Sequence, residues 1–237
     1  MDINQASIEL RNLEVEYVDF GRSFFKPLGM KVNFTALKDI NFSANDGDNI
    51  ALLGRNGAGK TTLLRCIAGL LRPIKGEILT LGRVTLLSGS NPGFIHNISG
   101  KRNVYELSGA YGILQNNKQS FIKSVDEFAN LGEAFDRNFA GYSAGMKGKL
   151  GFGFITGLKP DILLIDETLG VGDREFRAKA QIRLKDFINR SGTVIISTHS
   201  LGLAKEICNR GIVLDKGCVV FDGEINEAIN HYISMTN

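Results

Sequence analysis

Short apolar runs separated by polar or glycine punctuation recur along the chain, and their internal period sorts them into two kinds. IELRNLEVEY and ALKDINFS, near the N-terminus, alternate apolar with polar positions, the period of an antiparallel strand with one wetter face. NIALLG, DILLIDE and TVIIST do not alternate; they are apolar throughout, as strands covered on both faces of a parallel sheet are. EILTLG and RVTLL read as further strands, and LDKG, between the two apolar halves of GIVLDKGCVVFDG, predicts a hairpin turn. From about 85 to 160 the pattern changes. A glycine-rich loop (SGSNPGF) is followed by the helical patterns NVYELSGAYGIL and KSVDEFANL and then by another loop, NFAGYSAGM. The expectation is an α/β fold in a single domain over 1–237. It has a mostly parallel core sheet, an N-terminal antiparallel β portion and a helical subdomain inserted at 85–160.

Composition narrows the partners. At 237 residues the chain can bury a substantial core, and its net charge of +3 is spread without the Lys/Arg run that would trace a nucleic-acid backbone, so no nucleic-acid partner is expected. Cys66, Cys208 and Cys218 form neither a CxxC pair nor an even set, which suits reduced thiols in a cytosolic protein. The N-terminal MDINQASIELRN has no secretory pattern. No apolar run approaches the roughly 20 residues that cross a bilayer, so any membrane span has to come from another chain.

The chemistry concentrates at three strand ends. NIALLG-RNGAGKTT-LLRCIAGL reads strand, glycine-rich loop, helix, and Gly54, Gly59, Lys60 and Thr61 fill the GxxxxGK(S/T) spacing. In such a loop the backbone of Gly54, Arg55, Asn56, Gly57, Ala58, Gly59, Lys60, Thr61 and Thr62 converges its N–H groups on nucleotide phosphates at a helix N-terminus. Lys60 is expected to reach the β- and γ-phosphates and Thr61 to ligate Mg²⁺. DILLIDE places Asp166 for the Mg²⁺ shell and Glu167 to polarise an attacking water at the C-terminal edge of its strand. TVIISTHS repeats that geometry and carries His199 just past its strand, expected to touch the γ-phosphate or the water.

Taken in order, these motifs resemble the ATP-binding-cassette ATPases over nearly the whole chain. YSAGM at 142–146 sits where that family carries its signature, usually LSGGQ; Gly170 to Asp173 fall on its D-loop, His199 on its switch histidine, and Tyr17 on the aromatic that stacks on adenine. The resemblance implies a head-to-tail homodimer in which ATP on one copy is capped by Ser143 and Gly145 of the other, with Asp173 at the same interface. Three departures stand out. Tyr142, Ala144 and Met146 replace the usual signature residues, Thr168 follows the glutamate in place of proline, and LLSGSNPGFIHNISGKRN contains no glutamine. The last leaves Ser88, Ser90 or water to stand in for a glutamine contact to Mg²⁺.

Within the family the resemblance is to the polysaccharide-export branch, carried by YSAGM, GFIHNISGKRN, DETLGVGD and an extended N-terminal loop over 18–34. It implies the ATP-binding and ATP-hydrolysing subunit of a transporter for a lipid-linked polysaccharide of the O-antigen or capsule type. Such a subunit lies peripherally on the cytoplasmic face of the inner membrane against two integral membrane permease subunits. The end of the sequence at HYISMTN implies a member without the C-terminal carbohydrate-binding domain of some relatives. An ATPase of another transporter, a non-transport cassette ATPase, a P-loop kinase and a nucleotide-binding module without turnover are the readings that compete.

Overall fold

The computed structural model describes residues 6–20, 31–88, 91–166 and 174–236. In chain order the elements are β1 (Ile8–Phe20), β2 (Lys31–Ala44), β3 (Asn49–Leu53), α1 (Lys60–Ile67), β4 (Lys75–Thr80), β5 (Val84–Ser88), α2 (Gly100–Ala110) and α3 (Lys118–Ala129). They continue with α4 (Ala144–Gly157), β6 (Ile162–Asp166), α5 (Arg174–Asn189), β7 (Thr193–Ser197), α6 (Leu201–Ile207), β8 (Arg210–Asp215), β9 (Cys218–Glu224) and α7 (Ile225–Thr236). Packing divides the chain into two units: 1–86, 161–167 and 192–237 form one, and 87–160 with 168–191 form the other. The helical segment expected at 85–160 is therefore drawn at 87–160, and the stretch that carries α5 groups with it.

The first unit holds two sheets. β2, β1 and β4 form an antiparallel sheet, and β5-β6-β7-β3-β8-β9 form a six-stranded one. In the larger sheet β6, β7, β3 and β8 run parallel to one another, and β9 closes the edge antiparallel to β8. The unbroken apolar runs take the central places because a strand there has both faces covered: β7 is buried throughout, and β3 and β6 are buried at all but one position each. The turn between β8 and β9 has Lys216 and Gly217 both at positive φ, 47° and 83°, the two-residue hairpin geometry that suits the twist of antiparallel strands.

α1 packs against β6 of one sheet and against β2 and β4 of the other. Leu63, Leu64 and Ile67 carry its apolar face at helical spacing into a core shared with Leu13, Leu37, Ile40, Ile50, Leu164 and Ile195. The N-terminal excursion is shorter than 18–34. The β1–β2 ladder continues through Val18–Asn33, Asp19–Val32 and Phe20–Lys31, because antiparallel pairing satisfies those backbone groups; only 21–30, outside the described residues, separates the strands.

The second unit is held by aromatic side chains. Phe154 on α4 is fully buried and meets Phe94, Tyr111 and Phe121 edge-on, with ring centroids 5.7, 5.3 and 5.4 Å away. α4 is helical despite its glycines, each of which costs roughly 1 kcal/mol relative to alanine in a helix interior. Two of them admit neighbours from α3: a Cβ on Gly157 would lie 2.9 Å from Phe121 Cε2, and one on Gly153 would lie 3.1 Å from Phe128 Cδ1. Close aromatic packing thus offsets poor local propensity. Buried Asn103 on α2 secures the loop before it, accepting from Ile95 N at 2.6 Å and donating to Ile95 O at 2.8 Å and Ser99 O at 3.1 Å.

Candidate functional site

The loop between β3 and α1 begins with a chain that must bend tightly to deliver a helix N-terminus. Gly59 caps α1 at φ +109°, a conformation L side chains rarely adopt; a Cβ there would also lie 2.7 Å from Leu37 Cδ2 and 2.9 Å from Ala36 O. Gly59 brings no side-chain cap to α1, and the positive end of the helix dipole at this point favours an anion. The hairpin turn braces the loop from behind, with Gly217 N donating to Ala58 O at 3.1 Å and Lys38 N donating to Gly217 O at 2.7 Å.

Around this loop is a cavity of about 410 Å³ lined by Asn56–Thr62 and by side chains from four strands. Lys60 is 7% exposed, and its Nζ donates to Gly54 O at 2.6 Å and Arg55 O at 3.2 Å, which curls the loop around a buried ammonium. Thr61 Oγ1 donates to Asp166 Oδ1 at 3.2 Å, across 105 residues of sequence. Tyr17 OH and Thr62 Oγ1 share a hydrogen bond at 3.3 Å. His199 lines the same cavity.

Of the residues expected at the phosphate site, Tyr17, Asn56, Gly57, Ala58, Gly59, Lys60, Thr61, Thr62, Asp166 and His199 line the cavity together, and Gly54 and Arg55 meet it through their carbonyls on Lys60. Glu167, Thr168, Gly170 to Asp173 and Ser90 lie outside the described residues; Ser88 ends β5. Three lining residues went unanticipated: Phe34, Ala36 and Ser197. Phe34 pairs directly with Tyr17 in the β1–β2 register and is 60% exposed, so two aromatic side chains stand together on one face at the mouth of the cavity. Register is what the sequence lacks; its only local signal is a large aromatic at a strand end. For Ser197 the signal is a polar residue closing an otherwise apolar strand.

The oxygen set suits a hard cation of the Mg²⁺ type. A threonine hydroxyl and a carboxylate converge, while among the described residues no group of three or more His, Cys, Asp or Glu side chains gathers into a metal cage. Mg²⁺ fits one or two protein oxygens completed by phosphate and water.

The second unit carries the YSAGM stretch. Ser143 caps α4, its Oγ accepting from Met146 N at 3.2 Å, with extended backbone at φ −64° and ψ 163°. Ser143 and Gly145 line a cavity of about 610 Å³ with Asn130, Leu131, Ala134, Met146 and Lys149. Tyr142 takes no part in that lining. It is buried, its ring centroid lies 5.3 Å from that of Phe139, and its hydroxyl donates to Ala134 O. Burial pushes its pKa up, the leading effect on it, which keeps the hydroxyl a donor. The atypical first letter of the stretch therefore serves packing, and Gly100 leaves room for it: a Cβ on Gly100 would overlap the Tyr142 hydroxyl.

Comparison with known proteins gives one consistent answer. The sequence profile of the family described as ABC transporter matches residues 37–170. The O-antigen export system ATP-binding protein RfbB of Klebsiella pneumoniae is 38% identical over 77% of this chain and 74% of its own length. RfbE of Yersinia enterocolitica, with the same description, is 37% identical over 91% of this chain and 90% of its own. Among solved structures, a dimeric post-hydrolysis state of the ATP-binding cassette MJ0796 bound to ADP and Pi superposes with a TM-score of 0.70 at 21% identity. It covers 92% of this chain and 98% of that one.

Proposed function

The chain belongs to the ABC transporter family, and on that premise we propose that it is the ATP-binding and ATP-hydrolysing subunit of a transporter exporting a lipid-linked polysaccharide of the O-antigen or capsule type across the inner membrane. The observation that carries the ATPase half is the cavity in which the loop 56–62, Asp166 and His199 converge, with Thr61 bonded to Asp166. The relatives described as O-antigen export ATP-binding proteins support the transport half.

In this reading Tyr17 stacks on the adenine. The amides of Gly54 to Thr62 and the Lys60 ammonium hold the phosphates, Lys60 exchanging its bonds to Gly54 O and Arg55 O for phosphate oxygens. Thr61 and Asp166 would hold Mg²⁺, which would supply charge neutralisation on the phosphate oxygens. Glu167 accepts the proton of the attacking water, and His199 orients the γ-phosphate. The N-terminus of α4 at Ser143 and Gly145, with Asp173, completes the site of a second copy, because the positive end of a helix with a hydroxyl cap favours a terminal phosphate. The enzyme is thus a homodimer with two shared sites, coupled to two permease subunits. No described helix is long and apolar enough to cross a membrane; the peripheral place on the cytoplasmic face is supported by the exporter relatives.

Deletion of the gene in its own host is expected to abolish surface polysaccharide and leave lipid-linked glycan inside the cell. Wild-type protein restores export; Lys60→Ala and Glu167→Gln do not. Surface polysaccharide that persists without the protein, while the purified chain hydrolyses ATP, would remove export from the reading and leave the ATPase.

A further inference from the structure

Ser197 closes β7, is 1% exposed, and its Oγ has no hydrogen-bond partner among the described residues. Buried hydroxyls are ordinarily paired, because burial removes the water that would otherwise satisfy them and leaves a desolvation cost that nothing offsets. The same strand shows the ordinary case at its other end: buried Thr193 Oγ1 donates to Asn45 O at 2.9 Å and lies 2.5 Å from Ser7 Oγ. An apolar residue at 197 would continue the run of buried Val194, Ile195 and Ile196 without an orphan. The hydroxyl therefore points to a partner that is not part of the chain.

Its position says which partner. Parallel pairing sets Ser197 beside Asp166, one step beyond the pair Ile165–Ile196. Side chains two apart on a strand share a face. Ile162 and Leu164 on β6 and Ile195 on β7 belong to the core around α1, so Asp166 and Ser197 continue that face towards the loop. Asp166 is there bonded to Thr61, and Ser197 lines the same cavity as Thr61, Asp166 and Lys60. A cation held by one carboxylate and one hydroxyl keeps several waters, and those waters need acceptors.

We propose that Ser197 is a positioning residue for Mg²⁺: its Oγ accepts a hydrogen bond from a water of the shell held by Thr61 and Asp166. The inference rests on the ATPase reading above and adds to it an outer contact on the neighbouring strand. The residue acts on the ion through water, so its loss weakens binding of the metal–nucleotide complex and spares binding of the bare nucleotide.

The test is calorimetric titration of ATP into wild-type protein and Ser197→Ala, once in millimolar Mg²⁺ and once in EDTA, with melting temperatures of the nucleotide-free proteins alongside. The expected result is a loss of affinity of about two- to tenfold in Mg²⁺, the net worth of one hydrogen bond, and none in EDTA. Nucleotide-free Ser197→Ala melts at or above the wild-type temperature, since no bond within the chain is lost. An equal loss in both buffers would assign the hydroxyl to the nucleotide and overturn the proposal. So would unchanged affinity in Mg²⁺, or a lower melting temperature of the free variant, which would mean a structural hydrogen bond. Wild-type protein that binds no ATP in either buffer overturns the ATPase reading and this inference with it.

Discussion

Two substitutions at Ser143 are expected to move stability and function in different directions. Ser143 caps α4 through one hydrogen bond, Oγ to Met146 N at 3.2 Å. Alanine removes that acceptor at a cost of about 1 kcal/mol, which lowers Tm by about 2–4 °C in a chain of this size. Aspartate keeps an acceptor, ranks with serine as a cap, and adds a negative charge at the positive end of the helix, so its stability equals or slightly exceeds wild type. Dimerisation follows the other order. If Ser143 meets the terminal phosphate bound to a second copy, a carboxylate about 5 Å from it costs about 1–3 kcal/mol per unit of phosphate charge at effective dielectric constants of about 80 to 20. That amounts to a loss of about fivefold to more than a hundredfold in ATP-driven association. The assay is light scattering with ATP in a Glu167→Gln background, where bound nucleotide is retained, paired with melting curves. Alanine is expected to lose a few degrees and part of the dimer, and aspartate to lose the dimer at unchanged Tm. An aspartate variant that dimerises like wild type would refute the placement of Ser143 against a phosphate.

Tyr17→Ala and Phe34→Ala are each expected to weaken ATP binding, because stacking of a base on an aromatic is worth about 1–3 kcal/mol; calorimetry that finds Phe34→Ala silent would confine the platform to Tyr17. Gly100→Ala is expected to destabilise the protein by about 1–3 kcal/mol through overlap with the Tyr142 hydroxyl. Adding Tyr142→Phe recovers part of that loss in a double-mutant cycle, and strict additivity would rule the overlap out. Burial pushes the Cys66 thiol up to about 11 and the Cys208 thiol up to about 12, from an ordinary value of 9.0. Both thiols are therefore expected to resist iodoacetamide at pH 8 in the native protein and to react after denaturation, whereas Cys218, which is partly exposed, labels first. With folded pKa values raised, the unfolded chain gives up these protons first. The stability the thiols contribute is complete below about pH 9 and is lost as pH rises through about 11 to 12; denaturant midpoints that stay level across that window would count against their burial.

Where composition decides an element, the sequence alone was sufficient. NIALLG, DILLIDE and TVIIST read as strands covered on both faces and are strands in the structure, and the glycine and lysine spacing of 54–62 reads as a loop that presents amides to an anion, because both properties depend on residues adjacent in the chain. The serine of YSAGM likewise announces a helix N-terminus through its own side chain. What the sequence left open are contacts between distant segments. Strand order sets Asp166 beside Ser197, and the β1–β2 register sets Phe34 opposite Tyr17. The fit of Tyr142 into the space left by Gly100 belongs here too, as does the grouping of 168–191 with the helical unit. The glycines of α4 argue locally against a helix, and only the phenylalanines of α3 packing against them reverse that. Local pattern fixes the period of each element through φ, ψ and burial; pairing and packing choose which elements meet. That choice put an orphaned hydroxyl next to the carboxylate of the site, where its sequence position, 31 residues beyond Asp166, gave no sign of it.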